Sequence, residues 1–510
     1  MASDVRETAP EANSKKTQPP GLYVLFFAEL WERFSFYGMR SLLELYMSAP
    51  KKPTTIGGGG PGLGYTKTAA HGVFHAYGAL VYAFPMLGGL AADKLLGYRL
   101  AILLGGLLMA AGHFVMAIPD ERAMYLALAL LCLGNGFFKP NISSLVGKLY
   151  ADDDPRRDSG FTIFYMGINV GAWLAPLVCG TIGEKVNWHY GFGLAGVGML
   201  LGLGWFMRGS AKLEGHGEPP DIEALDRPVL LGLSPIRLVL IGTLLVAPLA
   251  ALLLWKNQIV DYIMHPLSGI FFITLLVLGG MRGKQAFWRL AVAVALMMGS
   301  VVFWSLFEQA GSSLTQFTKD HVDRYVFGWQ VPTSALLSVN PLYIMLLAIP
   351  FSLLWSRLAR IDRNPSIPVK FSLGLLQVGA GYLVLVLGAS MAGPQAITPM
   401  IWILLMYLLH TTGELCLSPI GLSAMTKLAP KDMVGMVMGG WFLASAYALH
   451  IGGLIAKLTT GGKAEGAQTA LEKLAGYTGV YQDLGYIAMV IAAVMFASSP
   501  LLKRGMYGIK

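Results

Sequence analysis

The chain has 510 residues, 55% of them hydrophobic and 13% charged, with a formal net charge of +9 and a mean hydropathy of +0.58. That length would allow several soluble domains, but so apolar a composition excludes them and predicts an all-α polytopic membrane protein. Cys132, Cys179 and Cys416 are scattered through apolar stretches, which excludes a disulfide framework and any metal site by spacing.

In chain order, residues 1–20 are polar and rich in Pro, Ser and Lys, and are expected to form a disordered cytoplasmic N-terminus without a signal peptide. Apolar runs long enough to cross a bilayer as helices follow at about 20–47, 69–93, 98–118, 122–150, 158–184 and 188–208. The Gly-rich stretch Thr54–Gly64 between the first two is expected to be a flexible external loop. It is no phosphate cradle, because neither the lysine-threonine pair nor the strand of such a motif accompanies it. A polar stretch at 209–235 leads to two more runs at about 236–255 and 260–281. Six further runs lie near 286–319, 331–360, 370–391, 397–428, 432–460 and 477–502. This order of six, two and six, fourteen spans in all, predicts an N-terminal six-helix bundle over 21–208, a linker with two additional transmembrane helices over 209–284, a C-terminal six-helix bundle over 285–503 and a cytoplasmic tail over 504–510. Two bundles related by a pseudo-two-fold axis along the membrane normal place a solute site at mid-bilayer between them. The additional pair carries no charge expected to lie within the membrane and reads as a peripheral insert without transport chemistry.

The basic residues fall in alternate loops. Roughly 24 lie on the side that includes Lys94, Arg157 and Lys503 and roughly 11 on the other, the bias that marks the cytoplasmic side. Both termini are therefore expected to be cytoplasmic. The positive charge reflects topology and not a nucleic-acid partner.

Three charges are left deep in the first span, in the run Phe27-Ala28-Glu29-Leu30-Trp31-Glu32-Arg33-Phe34. Glu29 lies about 12 Å in, at 1.5 Å rise per residue, and spacings of three and four put Glu29, Glu32 and Arg33 on one helix face. Ionisable groups at such depth are costly and mark wet transport paths. Arg40 lies two turns on, and Lys139 sits mid-helix before Pro140. The second half contributes Glu308 and Glu414. A mainly basic wall facing acids suits a zwitterionic peptide. Its carboxylate wants Arg or Lys, its ammonium a carboxylate and amide oxygens. Fixed charges on facing walls can then select by length and ignore side-chain identity. A buried ion pair alone adds little stability, so purely structural locking explains the set less well, although both roles can hold at once.

The chain is similar to the proton-dependent oligopeptide transporters of the major facilitator superfamily. Glu29-Leu30-Trp31-Glu32-Arg33-Phe34 resembles that family's E-x-x-E-R-F motif. Gly88-Gly89-Leu90-Ala91-Ala92-Asp93-Lys94-Leu95-Leu96-Gly97, Gly136-Phe137-Phe138-Lys139-Pro140-Asn141 and Phe161–Gly171 resemble its signatures in helices two, four and five. The resemblance implies symport of di- and tripeptides with protons by alternating access, in a bacterial inner membrane. It implies no enzymatic activity and no cofactor, and a monomer is expected to suffice. It further implies that Arg33 and Lys139 hold the substrate carboxylate and that Glu414, Asn169 and Asn340 hold the amino end. Arg40, Ser418, Tyr37, Tyr82, Trp304 and Trp441 adjoin them. Phe36 stands where the motif more often has tyrosine, and is expected to line the same pocket. Lys139–Glu414 and Arg40–Glu308 are expected gating pairs, with Asp320 and Lys67 as an outer gate and Asp93 in the superfamily's cytoplasmic lock. His75 matches a position where some members carry a coupling histidine; packing is the competing reading.

Proton coupling needs a carboxylate whose charge can change near neutral pH, and desolvation and an adjacent arginine act on such a group in opposite senses. Glu32, with Glu29 as partner, is the first choice, and Glu308 through Arg40 the second. The alternatives are a carrier of another anion or a peptide-like drug on the same fold, and a non-transporting nutrient sensor. The sensor lacks an output domain.

Overall fold

The computed structural model describes residues 17–52, 59–151, 154–219, 221, 225, 227–228, 232–460 and 469–509. The expected disorder of residues 1–16 and the loop expected over 54–58 lie outside the described residues. The first six spans are built from α1 (Pro20–Ser48), α2 (Lys67–Ala83) continued by α3 (Pro85–Ala91), α4 (Gly97–Met116), α5 (Glu121–Lys148), α6 (Arg157–Ala175) continued by α7 (Thr181–Lys185), and α8 (Trp188–Gly209). The additional pair is α9 (Pro235–Trp255) and α10 (Gln258–Met281). The last six comprise α11 (Lys284–Phe307), with the short α12 (Ser313–His321) beyond it, α13 (Val339–Arg360), α14 (Ile367–Ser390), α15 (Met400–Leu428), α16 (Val434–Leu458) and α17 (Ala470–Gly505).

Lys67–Met116 is one apolar helical stretch of 50 residues, which unbroken would run about 75 Å, more than twice the hydrocarbon thickness. Gly97 breaks it at φ +70, a conformation costly for residues with a Cβ, so two crossings result. α1 is as long as the apolar spans but carries Glu29, Glu32, Arg33, Arg40 and Glu44. Among the described residues, fourteen helical spans are thus long enough to cross a membrane, and both ends of the helical region lie on one side, called here the terminal side.

The boundaries agree with those read from hydropathy to within a few residues except at the start of α13, which begins at Val339 and not at 331 because a 3₁₀ turn over Ser334–Ser338 precedes it, and at the start of α17. The latter helix starts at Ala470, well before the expected 477, because Thr469 and Glu472 form a capping box whose polar first turn hides the helix from hydropathy. Sequence periodicity also missed the breaks at Phe84–Pro85 and at Glu308–Gly311, where a 3₁₀ turn separates α11 from α12. The described part of the Gly-rich stretch is held and not loose: the Trp188 backbone N–H donates to Gly59 O at 2.9 Å and its Nε1 to Gly60 O at 3.0 Å.

Within the first bundle α1 packs on α6 and α8, and α4 on α5 and α8; within the last, α14 packs on α15 and α17, and α11 on α16. The bundles meet along α2–α16 and α6–α13. Leaving the additional pair aside, these are the second with the eleventh span and the fifth with the eighth. A two-fold that exchanges each helix with the one six spans later swaps these two seams, as parallel repeats require. α9 lies against α5 while α10 lies against α11 and α16, so the additional pair straddles the α2–α16 seam. One end of the pair packs polar groups on the last bundle: Asp261, in the first turn of α10, and His265 reach His450 of α16.

Candidate functional site

Close helix packing sets the geometry. In α6 a Cβ on Gly171 would lie 2.3 Å from Leu30 O and 3.0 Å from Arg33 Cβ, and one on Gly167 would lie 2.9 Å from a Phe26 ring carbon. This Gly167-x-x-x-Gly171 spacing lets α6 press against α1, and it brings Asn169 and the α1 charges to the same cavity. The cavity, about 370 Å³, lies between the two bundles. That is the lower range for a small-molecule site.

One wall is basic. Arg33, Arg40 and Lys139 all line the cavity. Arg33 Nε lies 3.2 Å from Glu29 Oε1, and the same guanidinium is paired with both oxygens of Glu32. The two acids differ in position: Glu29 lines the cavity, while Glu32 is fully buried behind Arg33 and accepts from Asn135 Nδ2 at 3.3 Å. Lys139 Nζ sits 4.5 Å above the Tyr82 ring, a cation–π arrangement that leaves its ammonium without a fixed carboxylate. The expected Lys139–Glu414 ion pair is therefore absent. Both residues line the cavity, but from different walls, and Glu414 is engaged by an amide instead.

The facing wall comes from α13 and α15. Asn340 Nδ2 donates to Glu414 Oε2 at 3.1 Å and lies 3.0 Å from Thr411 Oγ1. Ser418, Trp304 and Trp441 complete it, with Tyr37, Tyr82 and Asn169 opposite. Asn169 donates Nδ2 to Tyr165 O in its own helix at 3.0 Å. Phe36, expected in the pocket, is not among the lining residues. It is 6% exposed, stacks on Tyr77 at 6.4 Å, and supports the Arg33 guanidinium from behind at 5.2 Å.

Arg40 and Glu308 form an ion pair across the bundles. Lys67 Nζ and Asp320 Oδ2 make another, 2.6 Å apart. Gln316 Nε2 to Ser48 Oγ at 2.8 Å and Glu184 with Ser334 also join the bundles beyond the cavity, away from the termini. Toward the terminal side the lining continues to Ser143 and Tyr165, the latter 43% exposed. The cavity is shut on the side opposite the termini and open on the terminal side.

His75 is buried outside this cavity, with Nε2 2.9 Å from Ser312 Oγ. Asp93 accepts from Tyr98 Oη at 2.8 Å at the turn after α3. Sequence reasoning passed over Glu44, a fully enclosed acid of α1 that lies 2.9 Å from His71 Nδ1 and accepts from Gln316 Nε2 at 3.4 Å. It was detectable by the same signal as Glu29, an acid inside an apolar run.

Three comparisons bear on this site. A family model described as POT family matches residues 99–472. An uncharacterized transporter of Bacillus subtilis (strain 168) is 36% identical over 494 residues, 96% of each chain. A dipeptide and tripeptide permease A of Proteus mirabilis (strain HI4320) is 34% identical over 505 residues, 98% of each chain. A di-/tripeptide transporter of Lactococcus lactis subsp. cremoris is 35% identical over 499 residues, 95% of this chain and 96% of that one. Among solved structures, a peptide transporter POT in complex with sulfate superposes with a TM-score of 0.82 at 35% identity over 97% of each chain. A POT family transporter in complex with 5-aminolevulinic acid gives 0.80 at 32% identity, over 96% of this chain and 98% of that one. With full-length relatives at this identity and a cavity charged in this way, the chain belongs to the POT family of transporters, within the major facilitator superfamily.

Proposed function

We propose that the protein is a proton-coupled symporter that carries di- and tripeptides into the cytoplasm. The observation that carries this reading is one cavity with a basic wall of Arg33 and Lys139 facing a wall of Glu414 with Asn340. Two or three extended residues span about 7–10 Å, so a zwitterion of that length can engage both walls. Charge-assisted hydrogen bonds then hold its ends, while its side chains meet the aromatic lining of Tyr37, Tyr82, Trp304 and Trp441. The relatives named for di- and tripeptides support the substrate class.

The bias of basic residues toward the terminal side supports a cytoplasmic placement of both termini, here in a bacterial inner membrane. The cavity then opens to the cytoplasm. Transport proceeds by rocking of the halves, 21–208 and 285–503, about the central site, with Lys67–Asp320 and Arg40–Glu308 broken and remade. A single chain contains the whole site.

The proton is exchanged at the Glu29–Glu32 pair around Arg33. Glu29 is the member that reaches the cavity, and Glu32 the one that anchors the arginine. A proton on either acid loosens the grip on Arg33 and frees it for the peptide carboxylate; its loss recaptures Arg33 and releases the substrate. Glu308 controls Arg40 in the same way. Inward movement of one positive charge gains about 2.3 kcal/mol per 100 mV, which drives accumulation.

The test is uptake of labelled dialanine into liposomes holding the purified protein, with and without an imposed pH step. Wild type should accumulate dialanine only with the step. Glu32→Gln should lose that accumulation while exchange without a gradient persists. Accumulation by Glu32→Gln against a gradient would overturn the proton assignment. Uptake blocked by nitrate but indifferent to dialanine would favour a carrier of other anions.

A further inference from the structure

The additional pair α9–α10 is apolar along most of its length, yet its end opposite the termini carries Asp261 and His265 on one face of α10, one turn apart. Both meet α16. Asp261 Oδ1 lies 3.1 Å from His450 Nδ1, and Asp261 Oδ2 lies 3.5 Å from Lys457 Nζ. His450 Nε2 lies 3.1 Å from His265 Nε2, and His265 Nδ1 lies 3.0 Å from Tyr447 Oη. One set of tautomers satisfies every contact: Tyr447 donates to His265, His265 Nε2–H donates to His450, and His450 Nδ1–H donates to Asp261. In that set both imidazoles are neutral. An added proton has a defined place, because an imidazolium at His450 would face the Asp261 carboxylate directly.

The cluster is also connected. His450 is nearly enclosed while about a third of the Asp261 side chain is exposed, so the group joins outside to inside. A gap of about 10 Å³, the room for one water, is lined by Asp261, His450 and Lys457 and, from α2, by His75. His75 in turn reaches Ser312, beside the Glu308–Gly311 turn whose Glu308 lines the main cavity. The charged and titratable groups around His450 are Asp261 and His265 from α10, Lys457 and Tyr447 from its own helix, and His75 from α2 with His71 one turn beyond. Lys256, at the α9–α10 turn, is directed onto the Trp255 ring at 4.3 Å.

We propose that Asp261, His450 and His265 form a second proton-binding site, distinct from the Glu29–Glu32–Arg33 site, that takes protons from the side opposite the termini and passes them through a single water to His75. The additional helix pair thereby supplies a proton entrance at the α2–α16 seam. The proposal rests on the proton-coupled reading above.

Two measurements test it. The first is dialanine uptake into liposomes over a series of external pH values with the membrane voltage clamped. Asp261→Asn and His450→Gln should displace the pH of half-maximal uptake by about one unit, tenfold in proton concentration, with dialanine exchange changed less than twofold. Unchanged pH profiles, or equal losses in both assays with a lowered melting temperature, would overturn the proposal and leave a structural brace. His265→Gln, whose side chain is more exposed, carries the same test if His450→Gln does not fold. The second is proton uptake by the purified chain after a pH jump, read with an indicator dye. It needs no peptide, and His450→Gln should take up fewer protons than wild type; equal uptake would overturn the proposal. If wild type takes up protons at this cluster but never accumulates dialanine, the transport reading fails while the site stands.

Discussion

Replacing Glu414 by Gln removes the one carboxylate that Asn340 orients on the acidic wall. A hydrogen bond to a charged partner is worth about 1.5–3 kcal/mol, so dialanine affinity should fall by about 10- to 150-fold. Asn340→Ala, which removes a neutral donor, should cost only about 0.5–1.5 kcal/mol. Competition binding against N-acetyl-dialanine, which lacks the ammonium, checks the assignment: it should bind wild type weakly and lose no more in Glu414→Gln. Equal losses for both peptides would place the ammonium elsewhere. At this scale the membrane made the site legible, because an ionisable side chain in an apolar run stands out by its cost. Glu29, Arg33, Lys139, Glu308 and Glu414 were visible in that way. Phe36 was not, because helical spacing gives a face but not what that face meets, and three residues beyond Arg33 it meets Tyr77 and not the cavity. His450 and Asp261 were missed for another reason: they lie on helices far apart in sequence, and only the packing of α10 on α16 makes them a pair.

Helix contacts give the next prediction. A methyl group at Gly171 would press on the backbone oxygen of Leu30 at 2.3 Å, and overpacking of this kind costs about 1–3 kcal/mol. Gly171→Ala should lower the melting temperature in detergent and also impair uptake, since the same methyl pushes on Arg33. Gly204 of α8 has nothing within 4 Å of its virtual Cβ. Gly204→Ala should therefore be neutral or stabilising by up to about 1 kcal/mol, the helix-propensity gain of alanine over glycine. A Gly171→Ala variant with unchanged melting and uptake would contradict the α1–α6 packing described here. Elements were more legible than their interruptions. Hydropathy over about twenty residues reports a span, whereas the breaks at Pro85 and at Glu308–Gly311 are local, and the polar capping box at Thr469 carries no hydropathy signal.

For the whole molecule, the arrangement of ion pairs predicts how the two bundles are balanced. Lys67 and Asp320 are partly exposed, with side chains 21% and 30% accessible, and such pairs are worth at most about 1 kcal/mol. Arg40 and Glu308 are more enclosed, at 15% and 12%, so removing one partner costs more there, up to the value of about 3–5 kcal/mol for a fully buried pair. Breaking the first pair should shift the balance between inward-open and outward-open states by no more than about fivefold, and breaking the second by considerably more. A cysteine at Ser445, which lines the cavity, reports the balance through a thiol reagent that does not cross the membrane; native Cys132, Cys179 and Cys416 are buried and remain silent. In the wild-type background the introduced thiol should react from the terminal side, to which the cavity opens. Lys67→Ala should change this little. Glu308→Gln strands the Arg40 charge in the closed seam, so labelling should become possible from the opposite side. If Glu308→Gln still reacts only from the terminal side while Lys67→Ala reacts from both, the weight of closure rests on the outer pair, and the energetic ranking derived from their burial is wrong.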